Sequence, residues 1–183
     1  CVRFLHAPPA GAPLQALEQR THPAWRRLKF DELLAQQLSM RKFRRARAQR
    51  RAPSLPAGRQ LTQQLLRTLP FQLTGAQHRC LAEIRHDLAQ PHPMRRLLQG
   101  DVGSGKTIVA ALACAQAIDA GYQAALMAPT EILAEQHFRK IDALLAPLGI
   151  ATAWLTGALR RKEKTEAIER VASGGAQLVI GTH

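Results

Sequence analysis

Aromatic residues and cysteines are scarce in this sequence. Only 4% of its 183 residues are aromatic. This argues against a β-sandwich or β-barrel, because the strands of those folds are enriched in aromatic side chains. The three cysteines, Cys1, Cys80 and Cys114, are too few and too far apart for a disulfide framework or a zinc site. They favour a reducing, cytoplasmic location.

Long apolar runs are missing as well. The longest, Ile108 to Ala115, is much shorter than the roughly 20 residues of a transmembrane helix. No positively charged segment followed by an apolar one indicates a secretory signal. We therefore expect no membrane partner. A first residue other than Met, and an end at His183 directly after an apolar run, predict a piece of a longer protein.

Acidic residues are sparse in the first part of the chain. Residues 1–70 contain 14 Lys or Arg and 3 Asp or Glu, whereas residues 71–183 contain 12 and 10. The densest basic stretch, Arg41 to Arg51, favours a nucleic-acid partner, since cations that contact phosphates release counterions. Charge alone is also compatible with a solvated helix face, a surface for an acidic domain, RNA, or an acidic membrane surface.

Apolar residues recur at helical spacing within this basic part. The pattern predicts one long amphipathic helix from Pro23 to about Gln49, with a basic C-terminal half. Shorter helices are predicted over residues 14–19 and 61–69. The apolar positions of the long helix are Phe30, Leu33, Leu34, Leu38, Met40 and Phe43. Pro53, Pro56 and Gly58 break the chain after it. Residues 1–70 are therefore expected to form a basic helical arm.

Residues 71–183 show a different pattern, in which short apolar runs alternate with longer helical ones. Helices are predicted over residues 76–88, 107–120, 131–145 and 162–173, and strands over residues 94–99, 123–128, 150–155 and 177–182. Such alternation is typical of βαβ units. We expect an α/β fold with a parallel sheet and helices on both faces.

The segment from Gly100 to Thr107 reads GDVGSGKT and matches the P-loop pattern. Its glycines allow turns that a Cβ would oppose, so that successive N–H groups cradle phosphates at a helix N-terminus. Lys106 is expected to reach the β- and γ-phosphates of ATP, and the Thr107 hydroxyl to bind Mg²⁺. The expected nucleotide-binding residues are Gly100, Asp101, Val102, Gly103, Ser104, Gly105, Lys106 and Thr107.

A P-loop alone does not say what the nucleotide powers, because kinases, signalling ATPases and helicases share it. Hydrolysis also needs an acidic group on a later strand. No Asp-Glu pair follows an apolar run here, so we expect that strand downstream of residues 177–182. The chain by itself is then expected to hydrolyse little ATP.

Several segments resemble the RecG family of superfamily 2 ATP-dependent DNA helicases, in the same order along the chain. One set of them contains the P-loop, the upstream Leu69–Gln77 segment and the Ala128–His137 segment. The others are Leu155–Gly157, Val179–His183, His22–Ala24 and Arg27–Ser39. Ala158 departs from the family, which often has Ser there. The resemblance implies a P-loop, RecA-like motor domain in residues 71–183, preceded by the arm that joins a wedge domain to it.

The resemblance also implies roles for single residues. Lys106 and Thr107 act in ATP hydrolysis, Gln77 reads the adenine, and Phe71 flanks it. DNA phosphates are held by Thr130, Thr156, Gly157, Thr182 and His183. From the residues alone, a solvent-facing Gln77, a core Phe71 and ordinary turn or N-cap roles for the rest stay open.

As a whole the resemblance implies a monomeric motor that uses ATP and Mg²⁺ to remodel branched duplex DNA, such as stalled forks and Holliday junctions. A transcription-repair coupling type of translocase is the nearest alternative. A P-loop kinase or ATPase unrelated to DNA, and a non-catalytic nucleic-acid-binding fragment, are the others.

Overall fold

The computed structural model describes residues 1–56 and 60–183, without the side chains of residues 47 and 48. Gly58, one of the predicted breaks, and the side chain of Arg47 in the basic stretch lie outside the described part. The chain forms two compact units, Cys1–Arg51 and Ala52–His183, and each is described by itself.

The first unit consists of α1 (Val2–His6), α2 (Leu14–Glu18) and the long α3 (Pro23–Ala48). Pro23 opens α3, because proline already has helical φ and its missing N–H is not needed in the first turn. The Trp25 indole donates a hydrogen bond to the Leu17 carbonyl, 3.1 Å away, and joins α3 to α2. The ring of Phe4 stacks on the ring of His22, with 4.8 Å between the ring centroids, and so places α1 beside the start of α3. The predicted helices are confirmed, and α1 is an addition to them.

The six predicted apolar positions of α3 are exposed rather than buried. Their exposed fractions range from 43% to 69% for Phe30, Leu33, Leu34, Leu38, Met40 and Phe43. The helix forms as its apolar spacing predicts, but within the first unit these side chains are not packed into a core.

The second unit contains a parallel sheet of three strands, β1 (Ala124–Met127), β2 (Thr152–Leu155) and β3 (Leu178–Gly181), in the order β1-β3-β2. Its helices are α4 (Leu61–Thr68), α5 (Gly75–Leu88), α6 (Lys106–Asp119), α7 (Glu131–Leu145) and α8 (Arg161–Ala172), with a 3₁₀ turn at Ala146–Leu148. In the register of the sheet, Leu178 of β3 is paired with Ala124 of β1 on one side and with Thr152 of β2 on the other.

Helices cover both faces of this sheet, as predicted. The chain passes from β1 over β3 to β2 through α7, and it returns from β2 to β3 through α8. Since these connections run in opposite directions and parallel crossovers are right-handed, α7 and α8 lie on opposite faces. The core on the α7 side contains Leu65, Leu112, Ile141, Leu145, Leu178 and Ile180, each at most 1% exposed.

The boundary between the compact units differs from the division at residue 70 that we expected. Helix α4 belongs to the second unit because it buries Leu61 and Leu65 in the core beside α6. The Asp119 carboxylate, at the end of α6, accepts three hydrogen bonds from the first turn of α4. They come from Leu61 N (2.9 Å), Thr62 N (3.0 Å) and Thr62 Oγ1 (2.9 Å).

The prediction of a strand over residues 94–99 is wrong. Among the described residues, this segment pairs with no strand, and the sheet consists of β1, β3 and β2 only. The backbone N–H and C=O groups of a strand need hydrogen-bond partners on a neighbouring strand. An apolar run in the sequence does not show whether such a neighbour exists. Met94 and Leu98 pack against the core, and Arg96 ties the segment to α5 through Asp87 and Glu83. Its hydrogen bonds to Asp87, 2.7 and 3.0 Å long, raise the pKa of Arg96.

Cys114, on the helix that follows the P-loop, belongs to the core. It packs against the central cluster, and burial raises the pKa of its thiol to about 11. The thiol is therefore protonated at neutral pH and is a poor nucleophile.

Candidate functional site

The P-loop lies between the segment tied down by Arg96 and the first turn of α6. Gly103 and Gly105 have φ angles of +84° and +81°, in the left-handed region that favours glycine. Gly100 has a different role, since it lets the Ser104 side chain approach closely: a Cβ there would lie 2.6 Å from Ser104 Oγ. The expectation that the glycines permit turns is therefore correct for Gly103 and Gly105, whereas Gly100 permits a close approach.

The side chain of Lys106 is folded into this loop. Its Nζ donates hydrogen bonds to the carbonyls of Gly100 (2.6 Å) and Asp101 (2.7 Å). Thr107 follows as the second residue of α6 and is half-buried. The ammonium and the hydroxyl thus lie at a helix N-terminus, where the free N–H groups and the helix dipole favour an anion.

Gln77 connects the start of α5 to the P-loop. Its Oε1 accepts from Thr74 N at 2.8 Å, and its own N donates to Thr74 Oγ1 at 3.3 Å, which completes a capping box. Its Nε2 donates to the Ser104 carbonyl at 2.9 Å. Gln77 is therefore half-buried against the loop rather than solvent-facing.

A cavity of about 320 Å³ lies between these groups. Thr74, Gln77, Cys80, Gly100, Ser104 and Lys106 contribute to its wall. Phe71, which is 48% exposed, lines a second cavity of about 460 Å³ with Leu66, Leu73 and His78. The structure brings Gln77 and Lys106 to one cavity and places Phe71 at the other.

The residues expected to contact DNA follow the strands at one edge of the sheet. Thr130 follows β1, Thr156 and Gly157 follow β2, and Thr182 and His183 follow β3. Since the carboxyl ends of parallel strands meet at one edge, the three segments lie side by side there. This edge is the usual ligand-binding side of an open α/β sheet.

The five residues expected to contact DNA differ in their exposure to solvent. Thr130 Oγ1 accepts from Leu133 N at 3.4 Å as the N-cap of α7, so the alternative N-cap role is present. Thr156 is only 4% exposed, Gly157 and His183 are exposed, and Thr182 is half-buried.

Two features of this edge were not found by sequence reasoning. Gly181 has no room for a Cβ, because the Leu155 backbone of β2 occupies that place. Glu131 Oε1 accepts a hydrogen bond from Ala158 N, 3.0 Å away. Glu131 also lines a cavity of about 600 Å³ with Phe138, Trp154 and Thr156. Its partner is 27 residues away, so no local sequence signal exists for the contact.

Neither a metal centre nor a membrane span is found in the described part of the chain. In residues 1–56 and 60–183, three or more His, Cys, Asp or Glu side chains do not come together as a metal site. Within the same ranges, no helix is both long and apolar enough to cross a membrane.

Comparison with known proteins identifies close relatives. A family model described as DEAD/DEAH box helicase matches residues 74–183. The chain is 50% identical over 182 residues to the ATP-dependent DNA helicase RecG of Haemophilus influenzae and to that of Escherichia coli (strain K12). Each match covers 100% of this chain and 26% of the relative. The chain therefore spans about a quarter of the length of these relatives, and the resemblance found in the sequence is confirmed.

Solved structures agree with this result. A structure of RecG bound to a three-way DNA junction aligns with a TM-score of 0.78 and 42% identity, over 86% of this chain and 22% of that one. A hypothetical ATP-dependent RNA helicase from Sulfolobus tokodaii aligns with a TM-score of 0.50 and 19% identity, over 66% and 33% of the two chains. The second match supports the fold alone, and both confirm the predicted α/β class.

Proposed function

The chain belongs to the DEAD/DEAH box helicase family, and from this membership we propose that it is part of an ATP-dependent DNA helicase that remodels branched DNA. The observation that carries the proposal is the 50% identity to RecG proteins along the whole chain. Nucleotide and DNA binding are assigned to residues 71–183, and residues 1–70 precede them along the chain. Of these residues, α4 packs on α6 and so belongs to the second unit.

We assign the triphosphate to the P-loop cavity. Lys106 lines this cavity at the N-terminus of α6, so phosphate oxygens can replace the Gly100 and Asp101 carbonyls as partners of its ammonium. Gln77 lines the same cavity with an amide that donates and accepts, as recognition of an adenine edge requires, so an adenine can replace the Thr74 N–H and the Ser104 carbonyl as its partners. Phe71 flanks the base from the second cavity.

The Thr107 hydroxyl fits a role as a Mg²⁺ ligand. Mg²⁺ prefers oxygen ligands, and in nucleotide sites it is often held by one or two protein groups, phosphate oxygens and water. One hydroxyl at the N-terminus of α6 meets that requirement. When bound, Mg²⁺ neutralises charge on the phosphates. The Thr107 hydroxyl would hold the metal, and the Lys106 ammonium would bind the phosphate oxygens.

DNA is assigned to the edge where the strands end. Threonine hydroxyls and exposed backbone N–H groups hold phosphates without reading bases, and Thr130, Gly157, Thr182 and His183 offer such groups. Thr156, being buried, contributes to the turn more than to the contact surface. A helicase that moves along duplex DNA needs this kind of sequence-independent grip.

The proposal is tested by ATP turnover of the intact helicase with and without DNA. We expect a synthetic three-way junction to raise turnover at least tenfold, since the RecA-like motor couples hydrolysis to the DNA strand. Linear duplex of equal length is the matched control and is expected to stimulate less. A kinase or unrelated ATPase would ignore both DNAs, and equal stimulation by both would favour the transcription-repair coupling type of translocase.

The basic half of α3 is proposed as a second contact to DNA phosphates. Its described side chains Arg41, Lys42 and Arg45 line a groove, and none of the ion pairs in the described residues involves them. Changing the three groove-lining cations Arg41, Lys42 and Arg45 to Gln should reduce the slope of log K against log salt by about two to three units, at about 0.9 per lost phosphate contact. Fluorescence anisotropy with a labelled junction at several salt concentrations measures this slope.

The control removes an equal number of charges from the first half of the same helix. It changes Arg26, Arg27 and Lys29 to Gln, and we expect the salt slope to stay within one unit of the original value. A slope left unchanged by the substitutions at Arg41, Lys42 and Arg45 would mean that the basic half of α3 is a solvated helix face and not a DNA contact.

A further inference from the structure

The carboxylate of Glu131 joins segments that follow two different strands. Glu131 is the first residue of α7, after β1, and its Oε1 accepts from the N–H of Ala158, in the turn after β2. The strand β3 lies between β1 and β2, which are therefore two strand spacings apart, or about 10 Å. The Glu131 side chain thus joins the segments after the two strands that flank β3.

We propose that Glu131 is a positioning residue that holds the turn Thr156–Leu159 in the conformation that binds a DNA phosphate. The proposal rests on the assignment of DNA to this edge of the sheet. Glu131 itself does not touch the phosphate. It fixes where Gly157 and Ala158 lie relative to Thr130 and Thr182.

The turn depends on this contact because its other hydrogen bonds hold only its ends. Thr156 is buried at the first end, and Arg160 N donates to Glu163 at the start of α8. Within the turn, Leu159 N reaches the Thr156 carbonyl at the long distance of 3.4 Å. Among the described hydrogen bonds, the one from Ala158 N to Glu131 is what secures the exposed middle.

The small residue at position 157 is consistent with this arrangement. A Cβ built on Gly157 would lie 4.0 Å from Glu131 Oε1, so the carboxylate passes directly alongside the glycine. Gly157 is exposed and belongs to the edge to which DNA is assigned. The hydrogen bond to Ala158 therefore orders the backbone next to the phosphate.

Substitutions at Glu131 can separate the effect of its hydrogen bond from the effect of its charge. A carboxylate near a phosphate repels it, and among the ion pairs of the described residues none neutralises Glu131. Its benefit therefore comes from the hydrogen bond and not from its charge. Glutamine keeps an oxygen acceptor of the same reach without the charge, aspartate keeps the charge without the reach, and alanine keeps neither.

The test compares E131Q, E131D and E131A in the intact helicase, with the junction-stimulated ATPase as the readout. We expect E131A and E131D to raise the DNA concentration for half-maximal stimulation about three- to tenfold, the usual effect of losing one such hydrogen bond. The maximal rate at saturating DNA should change less than twofold. E131Q should bind DNA as tightly as the original protein or more tightly.

A matched control lies one turn further along α7. Glu135 lines the same cavity but pairs with Arg139 instead of the turn, so E135A should leave the half-saturating DNA concentration unchanged. Thermal unfolding of every variant checks the fold. If E131A does not fold, E131D against E131Q decides the question, because both are conservative.

Three results would overturn the proposal. If E131A and E131D bind DNA as tightly as the original protein, the turn does not depend on Glu131. If they bind more tightly, the carboxylate masks the Ala158 N–H instead of placing it. If E131Q is as weak as E131A, charge and not the hydrogen bond matters. An original protein whose ATPase ignores DNA would instead refute the proposed function.

Discussion

Replacing Lys106 with alanine is expected to abolish DNA-stimulated ATP hydrolysis in the intact helicase. The ammonium is the only side-chain cation that the described residues place in the P-loop cavity. Loss of one preorganised charge that stabilises a transition state typically lowers turnover about 100- to 1,000-fold. A coupled assay of ADP release at saturating junction DNA and ATP measures the change.

The fold and the affinity for DNA should survive this substitution. Lys106 Nζ bonds only carbonyls of the loop itself, and these are exposed, so water can replace the ammonium. The thermal midpoint and the junction Kd without nucleotide are therefore expected to stay close to the original values. The matched control is Lys140→Ala, at an exposed lysine of α7. Turnover of K106A within twofold of the original would rule out the assigned role.

The geometry of the P-loop was predictable because it is specified by residues that are neighbours in sequence. Eight consecutive residues specify the turn, the helix start, the cation and the hydroxyl, and the structure places them together. The N-cap role of Thr130 and the bounds of α7 also follow from neighbouring residues. Segments whose structure depends on their own residues were therefore correctly predicted.

Contacts between distant segments were not predictable in this way. The run at residues 94–99 has the composition of a strand, but pairing depends on a neighbour elsewhere, and Arg96 ties it to α5 instead. The need for glycine at position 181 arises from the Leu155 backbone, and the role of Glu131 arises from Ala158. In each case the partner lies too far along the chain for a periodic pattern to reveal it.

Asp119 is the strongest example of such a distant contact. It ends the helix that follows the P-loop, where a carboxylate is unfavourable for the helix dipole. The structure explains its presence through α4, whose first N–H groups have no partner within their own helix. Asp119 accepts from two of these N–H groups and from the Thr62 hydroxyl. It acts as an N-cap supplied by another helix.

Asp119→Ala is therefore expected to lower the free energy of unfolding by about 2–4 kcal/mol. This range reflects the loss of three hydrogen bonds to a charged acceptor, of which those from the backbone leave half-buried donors unpaired. Urea unfolding followed by circular dichroism measures it. Faster hydrogen exchange in a peptide covering residues 61–68 would locate the effect at α4.

Thr62→Val is the matched control, because it removes the hydroxyl and leaves both N–H groups bonded to Asp119. Its cost is expected near 1 kcal/mol, roughly the usual contribution of one hydrogen bond. Leu65 and Leu112 stay in the core in both variants. A difference between the two variants in the free energy of unfolding therefore reports the loss of the hydrogen bonds from the Leu61 and Thr62 N–H groups. If Asp119→Ala costs no more than Thr62→Val, the cap does not hold α4 on the P-loop helix.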